Sequence, residues 1–174
     1  MKKNDIAALL EKRLSYFADG VIKLYQGAPD EAISHAESQL NCVLSPQYKE
    51  FLRIYNGGQI IEVGLHGVQL LGMKRIPKQR SIVDQYEFWS YEWWPKQWLE
   101  IGIDGFGNYY VADLSRRNVA NEYSILFVDH ETLGDDVFRP ALALDYFGFL
   151  KKVLDDMIQL YTPEGRLKSK SEDR

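Results

Sequence analysis

The repeat period of the apolar residues changes along the chain, and this change limits the folds that the chain can adopt. At the amino-terminal end these residues recur at helical spacing: Ile6, Leu9, Leu10, Leu14 and Phe17. Pro29 and the pair Ser45-Pro46 favour the starts of two further helices. Between residues 59 and 129 the pattern shifts to short runs typical of strands, and Asp145 can cap a closing helix. We therefore predict an α+β fold, with N-terminal helices, a mostly antiparallel sheet and a C-terminal helix packed on it.

The residues that separate these patterns predict where the individual helices and strands begin and end. Strands are predicted at residues 59–65, 67–72, 98–103, 108–114 and 124–129. Asn56, Gly57 and Gly58 are expected to end the third helix, since glycine reaches the left-handed conformation that a helix stop requires. Residues 81–94 are predicted as a helix and 131–140 as a loop. We expect one domain over 1–162, with 1–30 as an N-terminal helical extension, and a polar, disordered tail at 163–174.

Charge is unevenly distributed along the 174 residues. The formal net charge is −4, but residues 31–162 alone carry 12 basic and 18 acidic side chains, a net of −6. An acidic body argues against nucleic-acid binding, which needs cations that displace counterions from phosphates. It is compatible with a basic protein partner. The alternative is that this mild acidity only keeps the protein soluble.

The cellular compartment is inferred from the cysteine count and from the lack of a signal-peptide or membrane-spanning pattern. Cys42 is the single cysteine, which excludes an intrachain disulfide and any CxxC zinc or redox motif. Its apolar neighbours favour a buried small residue over a nucleophile. The first residues show no signal-peptide pattern, and no apolar segment approaches the roughly 20 residues needed to span a bilayer. We expect a cytoplasmic protein that does not enter a membrane.

The glycine-rich stretch at 104–108 is the first candidate for chemistry. A dinucleotide fingerprint needs a third glycine where Tyr110 stands, and a phosphate loop needs Gly-Lys-Ser/Thr, which is absent. A calcium loop needs a closing glutamate where Ser115 stands. Asp104-Gly105 is instead a strong hairpin signal, and Gly107 supplies a bulge or a longer turn. A hairpin is favoured over a ligand loop or a metal loop.

One cluster of titratable residues follows a predicted strand: Asp129, His130 and Glu131. It could hold a metal ion or act as an acid/base pair. The structural interpretation, which we favour, is that Asp129 caps the next turn while His130 bonds to backbone or to a carboxylate. Neither His35 nor His66 has a partner at metal-ligand spacing. We predict no catalytic residue, no metal site and no cofactor.

Aromatic residues are concentrated between residues 88 and 98. A nucleic-acid platform would alternate cations with the rings, whereas Glu87 and Glu92 are interspersed here and only Lys96 is basic. The rings could pack an irregular connection, or they could form a protein-binding surface, where Trp and Tyr concentrate binding energy.

The chain carries an ordered set of short motifs: Ala36-Glu37, Leu44-Ser-Pro46, Phe51-Leu52, Tyr55-Asn-Gly-Gly58, Ile101-Gly-Ile-Asp104 with Gly107, Val111-Ala-Asp113, Val128-Asp-His130 and Asp145-Tyr-Phe-Gly-Phe-Leu150. This order resembles that of the SUKH superfamily, the group of the yeast Smi/Knr cell-wall regulators and many bacterial immunity proteins. The resemblance covers roughly residues 31–155. Asp145 replaces the usual serine, Ser45 replaces the leucine expected before Pro46, and residues 74–98 match no family motif.

The resemblance implies a binding protein and not an enzyme. Bacterial members look like immunity proteins or antitoxins, often encoded beside secreted toxins, many of them nucleases. A protein of this kind neutralises its toxin by occluding the active site. On this basis we expect partner contact through Trp89, Tyr91, Glu92, Trp93 and Trp94, with Asp135 and Asp136 as rim charges. Residues of the family motifs are expected to be structural: Asn56, Gly57, Gly58, Gly102, Asp104, Gly107, Asp129 and His130.

Two other functions remain open. One is a regulatory scaffold of the cell-wall or signalling type, which the gene beside this one would distinguish from an immunity protein. The other is an enzyme or a ligand-binding domain in which Asp104, Asp129 and His130 converge in a pocket. The identity of the partner and its binding site are not encoded in any motif, and homo-oligomerisation also stays open.

Overall fold

We describe the protein from a computed structural model, which covers residues 5–68, 81–86, 88–135 and 137–169. Its α-helices are α1 (Ile6–Leu14), α2 (Asp30–Leu40), α3 (Pro46–Ile54) and α4 (Tyr146–Leu160). Its strands are β1 (Ile22–Gln26), β2 (Tyr55–Ile60), β3 (Val63–Leu65), β4 (Trp98–Ile103), β5 (Tyr109–Arg117), β6 (Tyr123–Val128) and β7 (Ala141–Ala143). In this part of the chain they form one antiparallel sheet, with each strand paired to the next in chain order. The predicted α+β class is confirmed.

The sheet buries a different hydrophobic cluster on each of its two faces. Successive side chains of a strand point to opposite faces. Ala112 and Ile125 accordingly pack with the helices in the main core, whereas their neighbours Val111 and Leu126 belong to a second, smaller cluster. The helices therefore cover one face, and the second face must be covered by something else.

The helices begin where short polar side chains cap them. Asp5 Oδ1 accepts the backbone N–H of Ala8 at 3.0 Å, at the start of α1. Ser45 Oγ accepts that of Tyr48 at 3.4 Å, with Pro46 in the first turn of α3. Asp145 Oδ1 accepts that of Gly148 at 2.7 Å. These bonds satisfy N–H groups that lack partners within the helix, and they confirm the predicted starts of α3 and α4.

Side chains from outside each helix join the first turns of α3 and α4. The backbone N–H of Gln47 donates to Glu122 Oε1 at 2.9 Å, and the side-chain Oε1 of Gln47 accepts the N–H of Phe147 at 2.7 Å. Glu122 precedes β6 and is 2% exposed. One residue of α3 thus links β6 to α4 across the main core.

Asn56, Gly57 and Gly58 lie within β2, so they do not end α3 as the sequence predicts. The helix ends at Ile54, and Tyr55 is already extended. Asn56 instead holds residue 68: its Oδ1 accepts the Val68 N–H at 2.7 Å, and its Nδ2 donates to the Val68 carbonyl at 3.1 Å. The motif therefore fixes a neighbouring segment against the sheet.

The segment predicted as a helical extension also contributes a strand. Strand β1 pairs with β2, with Leu24 opposite Gly58. A Cβ atom on Gly58 would lie 2.2 Å from the Lys23 carbonyl oxygen, and its φ of +140° also disfavours other residues. Glycine at position 58 therefore permits the close approach of β1.

Beyond α4 the described chain turns back. The Thr162 N–H donates to the Arg166 carbonyl and the Lys168 N–H donates to the Leu160 carbonyl, both at 2.8 Å. Residues 163–169 of the predicted disordered tail are thus hydrogen-bonded near the end of α4, and 170–174 lie outside the described residues. In the described part of the chain, no helix is long and apolar enough to cross a bilayer.

The predicted strand at 59–65 and helix at 81–94 both differ from the structure. Ile61, with φ of 53°, sits in a tight turn that divides the predicted strand into β2 and β3. The predicted helix is two short 3-10 helices, Ile82–Tyr86 and Phe88–Ser90, followed by turns. The predicted strand at 67–72 is described only for Gly67 and Val68, where Gly67 forms an isolated bridge with Ser81.

Candidate partner-binding site

The aromatic segment covers the second face of the sheet. Trp94 and Trp98 pack edge to face, with ring centroids 5.9 Å apart, and Trp94 packs in the same way on Tyr109 at 5.3 Å. These rings bury the face that carries Val111 and Leu126. Trp94 is 1% exposed and Trp98 8%. The second hydrophobic cluster is therefore the base on which the rest of the segment lies.

One backbone carbonyl orders this segment. The oxygen of Trp98 accepts the indole N–H of Trp89 at 3.0 Å and that of Trp94 at 3.2 Å. Buried indole N–H groups need such partners, and here both partners are the same atom of β4. The segment between Trp89 and Trp98 is thereby held as a loop that returns to the sheet.

Two rings of the segment face solvent. Tyr91 and Trp93 stack with centroids 5.2 Å apart and planes 16° apart, and they are 47% and 43% exposed. Trp93 also meets the buried Trp94 edge to face at 6.2 Å. An exposed stacked pair supported by a buried ring is preorganised, because little side-chain freedom remains to be lost when another molecule packs on it.

Arg139 fixes the loop that faces the aromatic segment. Its guanidinium donates to the Thr132 carbonyl at 2.7 Å and to the Val137 carbonyl at 3.0 Å. It also lies over the ring of Trp98, 5.3 Å from the centroid. The stacking joins this loop to β4, so Asp135 is held beside the aromatic rings.

A cleft of about 560 Å³ lies between this loop, the aromatic segment and the end of β5. Its size is in the range of pockets that bind small ligands or projecting side chains. The residues that line it are Glu92, Trp93, Pro95, Gln97, Trp98, Asp113, Ser115, Arg116, Leu126, Gly134, Asp135, Val137, Phe138 and Arg139. We call the exposed side chains Tyr91, Glu92, Trp93 and Asp135 the aromatic surface.

The stretch 104–108 forms the predicted hairpin turn between β4 and β5. Asp104 Oδ1 accepts the N–H groups of Phe106 and Asn108 at 2.8 and 2.9 Å, and its Oδ2 accepts the side-chain N–H of Asn108 at 2.9 Å. Gly107 adopts φ of +93°. The carboxylate is therefore used to close the turn.

Asn108 extends this network to His130. The Asn108 Oδ1 accepts the backbone N–H of His130 at 3.2 Å and lies 2.9 Å from its Nδ1. Asp129 accepts the Glu131 N–H at 2.9 Å and caps the following short 3-10 helix, as predicted. Asp104 and His130 thus meet through Asn108, Asp129 Oδ1 lies 3.9 Å from His130 Nδ1, and none of the three lines the cleft. The arrangement connects the β4–β5 hairpin to the end of β6.

His66 and Glu100 form a buried polar pair that no sequence motif predicts. The His66 Nε2 lies 2.6 Å from Glu100 Oε1, and both side chains are fully buried. The Tyr48 hydroxyl donates to the His66 carbonyl at 2.8 Å. Solvent does not reach this pair, which joins the segment after β3 to β4 and α3. No group of three potential metal ligands occurs among the described residues.

The sequence profile of the SMI1 / KNR4 family (SUKH-1) matches residues 27–148, more than two thirds of the chain. The chain belongs to this family. Its members are generally non-catalytic immunity or regulatory domains that bind partner proteins. A search of curated proteins found no match to the chain.

The SUKH-1 match spans α2 through the first turn of α4 and includes the whole aromatic segment. Within it, Gly102 lies in β4 where β3 passes closely, since an added Cβ would come within 2.8 Å of the Gly64 carbonyl oxygen. Helix α1, strand β1 and most of α4 lie outside the match but complete the main core. The family motifs are therefore found at turns, caps and close strand contacts.

The structure brings most of the predicted partner residues of this SUKH-1 domain together. Tyr91, Glu92, Trp93 and Asp135 are exposed around the cleft, and Trp89 is half-buried beside them. Trp94 is buried in this conformation and supports Trp93 from below, so its contact with a partner stays a prediction. Asp136 lies outside the described residues.

Several residues that line the cleft were not predicted as site residues. Phe138 is 81% exposed, and Arg139 and Trp98 form the stacked pair beside it. The available signal was the sequence Val137-Phe138-Arg139 in a predicted loop, where two large apolar residues have no helix or strand to bury them.

Proposed function

We propose that this SUKH-1 protein is an immunity protein that binds a cognate bacterial toxin and neutralises it through the aromatic surface. The observation that carries the proposal is the exposed stack of Tyr91 on Trp93, seated on the buried Trp94. Tyrosine and tryptophan dominate binding hot spots because they bury a large area at a small cost in side-chain entropy.

The negative charge of the domain indicates that the proposed partner is basic. Residues 31–162 carry a net charge of −6, and two of their carboxylates, those of Glu92 and Asp135, are exposed beside the rings of the aromatic surface. An acidic body speeds its encounter with a basic protein, and buried rings then slow dissociation. A nuclease toxin, whose active-site face must attract phosphates, has the complementary sign.

Neutralisation by this surface needs no chemical step. A rigid rim of aromatic rings around a cleft can receive a protruding element of the toxin, while the rest of the domain blocks access to the toxin's active site. We expect stoichiometric inhibition, with the toxin recovered intact after the complex is dissociated. The fixed loop at Arg139 and the base at Trp98 would keep the surface in one conformation before binding.

Co-expression tests this function directly. The chain is produced together with the protein encoded by the neighbouring gene, and cell survival and co-purification are scored. We expect survival and a stable complex. Death of the cells and no complex would contradict the immunity role for that neighbour, and a complex with a non-toxic neighbour would favour the regulatory alternative.

Paired variants locate the contact. Trp93→Ala removes an exposed ring of the aromatic surface and is expected to weaken the complex by at least about 2 kcal/mol, a loss of roughly thirtyfold in affinity. Phe106→Ala removes a more exposed ring, 79% accessible, at the tip of the β4–β5 hairpin, which does not line the cleft. It should leave the affinity unchanged, so equal effects of the two variants would reject this surface.

A further inference from the structure

The cleft contains two carboxylates that the protein leaves without partners. Within the described ranges, neither Glu92 nor Asp135 has a hydrogen-bond or ion-pair partner for its carboxylate, and both are exposed. Asp113 differs: its Oδ2 lies 3.0 Å from Arg116 Nε, and its Oδ1 accepts the hydroxyl of Ser115 at 2.6 Å. Two negative charges of the cleft are therefore available to a ligand.

Both cationic side chains that the structure describes in the cleft are already engaged. Arg116 is paired with the buried Asp113. Arg139 donates to carbonyl oxygens of its own loop and stacks on Trp98. Among the described residues of the lining, three acids and two arginines give a formal charge of −1, and the uncompensated part of it is acidic. The cleft consequently favours a cation over an anion.

The cleft also supplies an aromatic ring for that cation. Trp93 lines it and is 43% exposed, beside Glu92 in the sequence. The protein already stacks one guanidinium on an indole in this cleft, that of Arg139 on Trp98. An exposed indole beside unpaired carboxylates is the combination that binds a planar guanidinium, through stacking and bidentate hydrogen bonds together.

We propose that the cleft receives an arginine side chain from a projecting segment of the bound toxin. This inference rests on the proposed function and adds which chemical group of the partner enters. The guanidinium lies against Trp93 and bonds to the carboxylates of Glu92 and Asp135, while Val137 and Phe138 pack on the flanking chain of the partner. A volume of about 560 Å³ accommodates an arginine together with its neighbouring backbone.

The first test uses a probe that does not depend on the toxin. The tripeptide acetyl-Gly-Arg-Gly-amide is titrated into the ¹⁵N-labelled protein, and the indole N–H signals are followed by NMR, with Trp93 assigned from Trp93→Phe. Acetyl-Gly-citrulline-Gly-amide, which has the same shape without the charge, is the control. We expect a saturable shift of the Trp93 signal with arginine only, and its loss in the E92Q/D135N variant. Equal shifts with citrulline, or none with arginine, would overturn the inference.

The second test uses the complex with the neighbouring gene product. E92Q/D135N is expected to weaken binding by about tenfold or more and to reduce the dependence of the association rate on salt. E11Q removes an exposed charge of α1, on the helical side of the sheet, and should change affinity by less than about twofold.

The two tests separate the failure of the inference from that of the function. A tight complex that E92Q/D135N leaves unchanged, as E11Q does, would overturn the arginine contact and keep the immunity role. An arginine-dependent shift of Trp93 without any complex would support the specificity of the cleft and reject that neighbour as the partner.

Discussion

Glu122 is 2% exposed at the junction of β6 and α3, where it accepts the N–H of Gln47. Its desolvation by burial raises the pKa of the carboxyl above its ordinary value of 4.5, although the bond from Gln47 acts in the opposite direction. The folded protein therefore holds this proton more tightly than the unfolded chain does. The contribution of Glu122 to stability is present below pH 4.5 and is lost as the pH rises through the folded-state pKa.

Glu122→Gln tests this linkage. Glutamine keeps an acceptor for Gln47 but cannot ionise. We expect the unfolding free energy of the variant, relative to the unchanged protein, to increase as the pH is raised from 4 to 7, measured by urea denaturation. Glu122→Ala, which leaves the Gln47 N–H without its acceptor, should lose about 1–3 kcal/mol. A Glu122→Gln difference that falls with rising pH would contradict the assignment.

Cys42 is a second residue whose chemistry is set by its surroundings. Burial, followed by the nearby charge of Glu37, raises the pKa of the Cys42 thiol to about 11. Only the thiolate reacts with iodoacetamide. At pH 8 we expect alkylation of the folded protein to be about a hundredfold slower than that of the protein unfolded in guanidinium. Equal rates would show that Cys42 is an accessible, ordinary thiol.

At the scale of elements, the pairing of β1 with β2 depends on Gly58. An alanine Cβ at this position would overlap the backbone of Lys23 and Leu24. We expect Gly58→Ala to destabilise the protein by about 3 kcal/mol or more. Gly107→Ala is the matched control, because Gly107 also has a positive φ but nothing lies within 4 Å of its added Cβ. It should cost about 1 kcal/mol, and equal losses in thermal denaturation would contradict the close approach.

The local signals of the chain predicted the elements that caps and periodicity define. Ser45-Pro46 and Asp145 start α3 and α4, and Asp104-Gly105 forms the hairpin turn, since each of these roles depends on a few neighbouring residues. Strand β1 was missed because its pairing partners lie 29 to 38 residues away in the sequence. Asn56 was misread for the same reason: its bonds are to Val68, a contact that no local pattern reveals.

The candidate site was predictable only in part. The density of rings between Trp89 and Trp98 marked the segment, but the sequence does not show which rings lie against the sheet. Trp94 is buried because it packs on Val111 and Leu126. Its neighbour Trp93 does not belong to this cluster and remains exposed. The place of Arg139 in the cleft follows from the tertiary fold alone.

At the scale of the whole molecule, the two faces of the sheet pack against different parts of the chain. One face packs on the helices and forms the main core, which includes the segments that lie outside the family match. The other face carries the aromatic segment, its cleft and the loop of Asp135. A partner that binds the second face would leave the main core undisturbed, so the residues of the aromatic surface can vary while the fold is kept.

Amide hydrogen exchange tests the central claim most directly. The chain is compared alone and saturated with the protein encoded by the neighbouring gene, at equal pH and temperature. We predict slower exchange in the segments around Trp93 and Asp135 and unchanged exchange in α1 and α4. Protection confined to the helical face, with the aromatic surface exchanging as in the free protein, would contradict the account.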